Sequence, residues 1–137
     1  MKVYAIEKNP EAVELLYENC KKFALTNVKI IAGTAPEALE DLPAPTHVFI
    51  GGSSGKMEEV IALCLKKNPE TRFVVNLITP ESLAAVLEAA KTLPVTEPDL
   101  VTLTAARSKK VGSSHLMMGQ NPVWIVTFEG KICVSRM

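Results

Sequence analysis

Apolar and polar positions between Thr46 and Lys67 predict a strand, a glycine-rich turn and a helix in direct succession. Residues 48–50 form an apolar run without polar alternation, which is typical of a strand covered on both faces. The helix carries one core-facing stripe, formed by Met57, Val60, Ile61, Cys64 and Leu65. Ligands gather at the carboxyl ends of parallel strands, so the turn at 51–55 is a candidate ligand-binding loop. The alternative is a tight strand-to-helix connection that binds no ligand.

The same strand-then-helix pattern repeats on either side of this stretch. Apolar runs at 2–6, 28–32 and 72–78 predict three more strands, the last interrupted by Asn76. A chain that alternates strands and helices in this way favours a parallel sheet with right-handed crossovers.

Two of the helices have recognisable starts. Asn9–Pro10 and Thr79–Pro80 each place a capping residue before a proline at the first helical position. The apolar side of the first helix consists of Val13, Leu16, Tyr17, Cys20 and Phe23. A short helix after the second strand is expected to end near Asp41.

The last quarter of the chain departs from this alternation. Segments 100–106 and 123–128 are rich in strand-forming residues, which predicts two strands. The segment between them, 107–122, shows no helical stripe, and a parallel crossover normally needs one. The pattern therefore predicts a loop joining an antiparallel pair that closes the sheet.

Composition narrows the class of protein. The chain has 137 residues, 47% of them hydrophobic, which suits one soluble globular domain with its own core. Fifteen basic and fifteen acidic residues cancel, so no overall field favours nucleic acid or a membrane surface. No apolar run approaches the roughly 18 residues of a membrane span, and the amino-terminal segment lacks the apolar core of a secretion signal.

The three cysteines are odd in number and far apart, which argues against a disulfide framework or a zinc site. Cys20 and Cys64 lie on predicted apolar helix faces and are expected to be buried thiols. These features predict a cytoplasmic protein without a metal.

Four segments resemble one family of enzymes: VYAIEKNPEAVELLYENCKKF, IIAGTAPEAL, HVFIGGSSGKM and RSKKVGSSHLMMGQNPVWIV. They are similar to the decarboxylating precorrin-6Y C5,15-methyltransferases of cobalamin biosynthesis, specifically the carbon-15-methylating subunit or domain. The similarity runs from Val3 to about Phe128. It implies an α/β, Rossmann-like class I S-adenosylmethionine-dependent methyltransferase sheet, mostly parallel with an antiparallel final strand.

The chain departs from the family at its start. The family's first strand and glycine-rich loop would precede Met1, since Gly33 is the earliest glycine here. We therefore expect residues 1–137 to form a single, amino-terminally truncated domain. The missing strand would be central in the family's sheet, so either the two halves pair directly or another chain fills the gap. A homo-oligomer is the expected assembly.

The resemblance assigns cofactor-binding residues to three turns: Glu7, Gly33, Thr34, Ala35, Gly51 and Gly52. Glu7 would accept hydrogen bonds from the ribose hydroxyls of S-adenosylmethionine; the alternative is an exposed acid at a strand end. The turn at 33–35 would border the adenine ring; the alternative is a helix start capped by Thr34.

Substrate contacts are expected from Ser53, Ser54, Arg107, Lys109, Lys110 and Met117. A precorrin is a tetrapyrrole fringed with carboxylates, which Arg and Lys bind, while methionines suit a flat conjugated face. The alternative is a solvated basic turn. His115 is a candidate catalytic base, although surface histidines are common.

Two functions remain open at this point. The first is methylation of a precorrin with loss of carbon dioxide. The second is a non-catalytic remnant or interaction subunit that cannot bind the cofactor unaided. A nicotinamide-binding domain is disfavoured by the antiparallel ending. The methyltransferase hypothesis places the turns after Ile6, Ala32, Ile50 and Ala106 on the same edge of a single sheet.

Overall fold

A computed structural model describes residues 1–52 and 55–132, and its backbone contacts divide the chain into two units, Met1–Pro43 and Ala44–Met137. The strands are β1 (Val3–Glu7), β2 (Val28–Ala32), β3 (His47–Ile50), β4 (Arg72–Leu77), β5 (Asp99–Leu103), β6 (Ala106–Val111), β7 (Ser114–Gly119) and β8 (Val123–Glu129). The α-helices are α1 (Pro10–Lys22), α2 (Met57–Lys67) and α3 (Pro80–Thr92).

The first unit pairs β1 with β2 in parallel, and α1 connects them. As the sequence predicts, Asn9 caps α1: its side-chain oxygen accepts a hydrogen bond from the amide of Glu11 at 2.9 Å. The expected apolar side of α1 is only partly covered, since Tyr17 and Phe23 are 59% and 64% exposed. Cys20 is half-buried, so the expectation of a buried thiol is wrong there. A two-stranded sheet is too narrow to cover a whole helix side.

The second unit contains a four-stranded sheet in the order β3-β4-β8-β5. β3 and β4 are parallel, whereas β8 runs antiparallel to both β4 and β5. The predicted antiparallel final strand is confirmed. The expected single sheet is not observed, because the described strands form three hydrogen-bonded sheets: β1-β2, the four-stranded sheet, and β6-β7.

The core of the second unit lies between this sheet and helices α2 and α3. The buried residues of α2 are the five of the predicted stripe. β4 and β8 bury alternate side chains toward the helices, and the rings of Phe73 and Phe128 stack with centroids 5.1 Å apart. The largest fully buried apolar side chains are Phe73, Ile61, Val75, Val86, Val126 and Cys64.

β3 differs from its prediction. The apolar run at 48–50 indicated a strand covered on both faces, but Phe49 is 66% exposed. β3 is an edge strand that pairs only with β4 among the described residues. Phe49 is opposite Val74 and therefore lies on the other face of the sheet from Phe73 and Val75, the buried side chains that pack toward α2 and α3.

No helix of the described residues combines the length and the apolar character that crossing a membrane requires.

Candidate active site

Glu7 lies at the carboxyl end of β1, directly opposite Ala32 of β2. Its side-chain oxygen Oε1 accepts hydrogen bonds from the amides of Lys8 and Asn9, both at 2.9 Å. Its main-chain oxygen accepts one from the amide of Gly33 at 3.0 Å. A carboxylate has about four acceptor positions, so two amides on one oxygen leave capacity for further donors. The first two predicted cofactor residues are therefore neighbours.

The turn after β2 contains the next predicted residues, Gly33 to Ala35. A Cβ atom at Gly33 would lie 3.2 Å from the Cβ of Ala38, so the chain is tightly folded there. The carbonyl of Thr34 accepts from the amide of Ala38 at 2.9 Å. The short helix expected here is a 3-10 helix, Glu37–Leu39, with no side-chain cap, so the alternative in which Thr34 caps a helix is wrong.

Gly51 and Gly52 lie at the carboxyl end of β3, as predicted. A Cβ at Gly51 would lie 3.0 Å from Cε1 of Phe49, whereas one at Gly52 would have no heavy atom within 4 Å. The backbone at Gly52 is thus open to an approaching ligand. Ser53 and Ser54, which the sequence assigned to the substrate, lie outside the described residues.

A cavity of about 440 Å³ opens at this end of the four-stranded sheet. Its lining residues are Gly51, Gly52, Asn76, Leu77, Ile78, Thr79, Ser82 and Val123. Its volume falls in the range of small-molecule sites. Two of the predicted cofactor residues contribute to it, and the other six lining residues were not predicted as site residues.

Asn76, Thr79 and Ser82 supply the polar side chains of the cavity. Thr79 Oγ1 donates to Ser82 Oγ at 2.8 Å and accepts from the Ser82 amide at 3.2 Å, as the cap of α3. Asn76 is half-buried and opposite Ile125. Neutral donors of this kind can orient a carboxylate without adding charge. The signal in the sequence was Asn76 itself, the single polar residue inside an apolar run.

The predicted basic loop at 107–122 is a β-hairpin, formed by β6 and β7. Sequence reasoning missed it because Ser, Lys and Gly weaken the strand signal, whereas the two strands are held by cross-strand backbone pairing, which composition does not show. The turn predicted after Ala106 is therefore wrong, since Ala106 begins β6. All strand residues of the hairpin are exposed, including the five candidates Arg107, Lys109, Lys110, His115 and Met117.

The hairpin begins at the same end of the four-stranded sheet as the cavity. Leu103, the last residue of β5, pairs with Val123, the first residue of β8. The hairpin is inserted between these two positions, and the amide of Gln120 donates to the carbonyl of Ala105 at 2.8 Å at its base. Because Val123 also lines the cavity, the base of the hairpin lies at the same end of the sheet as the cavity.

Among the described residues, the other titratable side chains do not suggest a nucleophile or a metal site. Burial raises the pKa of the Cys64 thiol to about 11, although Lys67 opposes the shift, so the thiol is protonated at neutral pH. His47 lies at the amino end of β3, with Nδ1 3.1 Å from Thr46 Oγ1. Within 1–52 and 55–132, no three His, Cys, Asp or Glu side chains are grouped closely enough to hold a metal ion.

Comparison with known proteins gives consistent matches. Residues 1–129 match the model of the precorrin methyltransferase domain family. A probable cobalt-precorrin-6B C(15)-methyltransferase (decarboxylating) of Sulfurisphaera tokodaii is 35% identical over 127 residues, which is 91% of this chain and 65% of the relative. A cobalt-precorrin-6B C(15)-methyltransferase (decarboxylating) of Salmonella typhimurium is 32% identical over 127 residues, which is 92% of this chain and 65% of the relative.

A solved structure is similar along the same length. The precorrin-6y C5,15-methyltransferase of Geobacter metallireducens superposes with a TM-score of 0.82 and 32% identity, covering 93% of this chain and 68% of that one. The chain thus spans about two thirds of the length of the relatives that it matches.

Proposed function

The chain belongs to the precorrin methyltransferase domain family, and from this premise we propose that it methylates a ring carbon of a precorrin, with S-adenosylmethionine as donor and with loss of carbon dioxide. The observation that carries the proposal is the match over residues 1–129, together with relatives whose names state C(15)-methylation and decarboxylation. The order β4-β8-β5, with β8 antiparallel, supports the same fold.

The residues of the first unit fit the nucleoside part of the donor. The amides of Lys8 and Asn9 fix the Glu7 carboxylate through Oε1, so Oε2 can accept from ribose hydroxyls at little cost in ordering. The backbone of Gly33, Thr34 and Ala35 follows at the same end of the β1-β2 sheet and would border the adenine. These roles are proposals that rest on the resemblance and on this geometry.

The second unit offers features that fit the acceptor. At Gly51 and Gly52 the absence of a Cβ would let the ring approach the backbone. The cavity would take one carboxylate arm of the ring, held by Asn76 and the hydroxyl of Ser82. Arg107 and Lys109 of the hairpin would neutralise other arms.

Bound S-adenosylmethionine supplies an electrophilic methyl group on a sulfonium sulfur. With the donor held by Glu7, methyl transfer to a ring carbon would require of this chain mainly that it position the acceptor and exclude water. That requirement agrees with a site of glycine turns and hydrogen-bond donors. His115 stays a prediction as a base, and homo-oligomerisation stays a prediction as the assembly.

Calorimetric titration with S-adenosylhomocysteine tests the proposal on the Glu7→Ala variant. Removing a charged acceptor from two ribose hydroxyls is expected to weaken binding about tenfold or more. The matched control is Glu11→Ala, which removes an exposed carboxylate from the first turn of α1 and should leave affinity unchanged. Glu7→Gln keeps an acceptor for the Lys8 and Asn9 amides and should lie between the two.

Equal affinity of the Glu7→Ala and Glu11→Ala variants would contradict the ribose assignment. No binding to the unaltered chain would contradict the enzymatic proposal and leave the interaction subunit as the better hypothesis.

A further inference from the structure

The register of the β6-β7 hairpin separates its side chains into two faces, because residues directly opposite each other in an antiparallel pair share a face. Arg107 pairs with Met118, and Lys109 pairs with Leu116. Since alternate residues of a strand point to the same side, these four side chains lie together on one face, which we call the Arg107 face.

The opposite face, which we call the Lys110 face, has a different composition. Lys110 pairs with His115, and Ser108 pairs with Met117. One Lys lies beside a histidine, and the one large apolar side chain lies beside a serine. The two faces therefore divide the residues that the sequence had grouped as one substrate surface.

The hairpin also differs in charge from the rest of the chain. Residues 106–119 contain three Arg and Lys residues and no Asp or Glu, although the whole chain carries fifteen of each sign. All strand positions are exposed, and Leu116 and Met118 are 55% and 43% exposed. A two-stranded hairpin without a covering layer is marginally stable alone, so a ligand that covers one face would stabilise it.

We propose that the Arg107 face is the one that holds the tetrapyrrole acceptor, with Leu116 and Met118 under the conjugated ring and Arg107 and Lys109 on its carboxylate arms. This inference rests on the proposed function and specifies which side of the hairpin performs it. A ring fringed with carboxylates is complementary to a face that places each cation directly across from an apolar side chain, about 5 Å away between Cβ atoms. The Lys110 face has one cation, which is opposite His115, and no cation opposite an apolar side chain.

The assignment gives Leu116 a role that the sequence did not give it. It also turns Lys110, Met117 and His115 away from the acceptor, so under this assignment His115 is not the base. The same hairpin therefore provides its own controls, because neighbouring residues of one chemical type lie on opposite faces.

Titration with uroporphyrin, a planar tetrapyrrole polycarboxylate, followed by its fluorescence, tests the assignment on the full chain. Lys109→Gln and Lys110→Gln remove the same charge at adjacent positions. We expect Lys109→Gln to weaken binding about tenfold and Lys110→Gln by less than about twofold. Leu116→Thr and Met117→Thr form the apolar pair, and only Leu116→Thr is expected to weaken binding, about threefold. Circular dichroism should show all four variants folded. Lys109 and Lys110 are exposed, so their replacement disturbs no packing, and threonine keeps the strand propensity at the other two positions.

Three results would overturn the inference. If Lys110→Gln weakens binding as much as Lys109→Gln, the face assignment fails while the proposed function stands. If Leu116→Thr changes the sedimentation coefficient and not the uroporphyrin affinity, the Arg107 face is an interface between copies of the chain. If the unaltered chain does not bind uroporphyrin, both this inference and the acceptor site of the proposed function fail, whereas S-adenosylhomocysteine titration still tests the donor site separately.

Discussion

At the amino end of β4, Thr71 is fully buried, and its hydroxyl oxygen lies 2.7 Å from the carbonyl oxygen of Asn68 and 3.1 Å from that of Pro45. At the carboxyl end of the same strand, Asn76 is half-buried beside a cavity of about 440 Å³. Gly52, at that same end, has open space where a Cβ would be. One end of the sheet is closed by packing and hydrogen bonds, and the other is open.

The difference teaches how a small unit can carry a site. The closed end fixes the register of β4 against β3 and β8, because a shift would expose buried groups. The glycines and polar side chains of the open end therefore do not have to contribute to the stability of the fold. Function and stability are therefore expected to respond to mutations at different ends of the same strands.

Gly130→Ala is the change expected to have the largest effect, because it alters the closed end. A Cβ at Gly130 would overlap the carbonyl oxygen of Pro69 and lie 2.8 Å from Cδ2 of Leu65. The glycine cannot move away easily, since its amide donates to the carbonyl of Thr71 at 2.9 Å and it bridges to Val95. We expect the free energy of unfolding in urea to fall by about 3 kcal/mol.

Gly52→Ala is the matched control at the open end. With no heavy atom within 4 Å of the added Cβ, the free energy of unfolding should change by less than about 0.5 kcal/mol. A similar loss of stability in both variants would show that the two ends are not distinct.

The pH dependence of the free energy of unfolding, measured through the Cys64 thiol, tests the packing of the closed end. Burial raises the pKa of its thiol from 9.0 to about 11, so the folded chain holds this proton where the unfolded chain has lost it. The contribution to stability is fully present below pH 9 and is lost as pH rises toward 11. Relative to Cys64→Ala, the unaltered chain should lose about 2 to 3 kcal/mol across that window.

Thermal unfolding of both proteins at pH 8, 9, 10 and 11 measures this difference. Comparison with the variant removes the titration of tyrosines and lysines common to both. A stability difference that stayed constant with pH would mean that the Cys64 thiol titrates alike in the folded and unfolded chains.

The sequence predicted those parts of the molecule that depend on local signals. The caps at Asn9 and Thr79 and the buried stripe of α2 follow from neighbouring residues alone, and each is observed. The carboxyl-end positions of Glu7 and Gly51 follow from strand ends, and are observed too.

The parts that sequence reasoning missed depend on contacts between distant residues. The exposure of Phe49 reflects the face of the sheet on which it lies, away from α2 and α3, and a run of apolar residues does not reveal this. The tight packing of Gly130 arises against Pro69, far away in the chain. The β6-β7 hairpin is held by cross-strand pairing among polar residues, and its two faces follow from register, which composition does not encode.

Two asparagines, one near each end of β4, allow the comparison with the smallest expected change in stability. At the closed end Asn68 donates from Nδ2 to the carbonyl of Pro45 at 2.8 Å and accepts from the amide of Glu70 at 3.0 Å. Asn68→Leu leaves both partners unsatisfied and should lower the free energy of unfolding by about 1 to 2 kcal/mol. Asn76→Leu has nearly the same volume, and no hydrogen bond of the Asn76 side chain is described, so stability should stay within about 0.5 kcal/mol.

Ligand affinity should respond in the opposite order, with the larger effect in Asn76→Leu. Uroporphyrin affinity is expected to fall several-fold in Asn76→Leu, because the cavity loses its amide donor, and to stay unchanged in Asn68→Leu once the fraction of folded protein is taken into account. If Asn76→Leu instead destabilised the chain and left affinity intact, Asn76 would be a structural residue, and the open end of β4 would have to bind its ligand through Ser82 and the backbone alone.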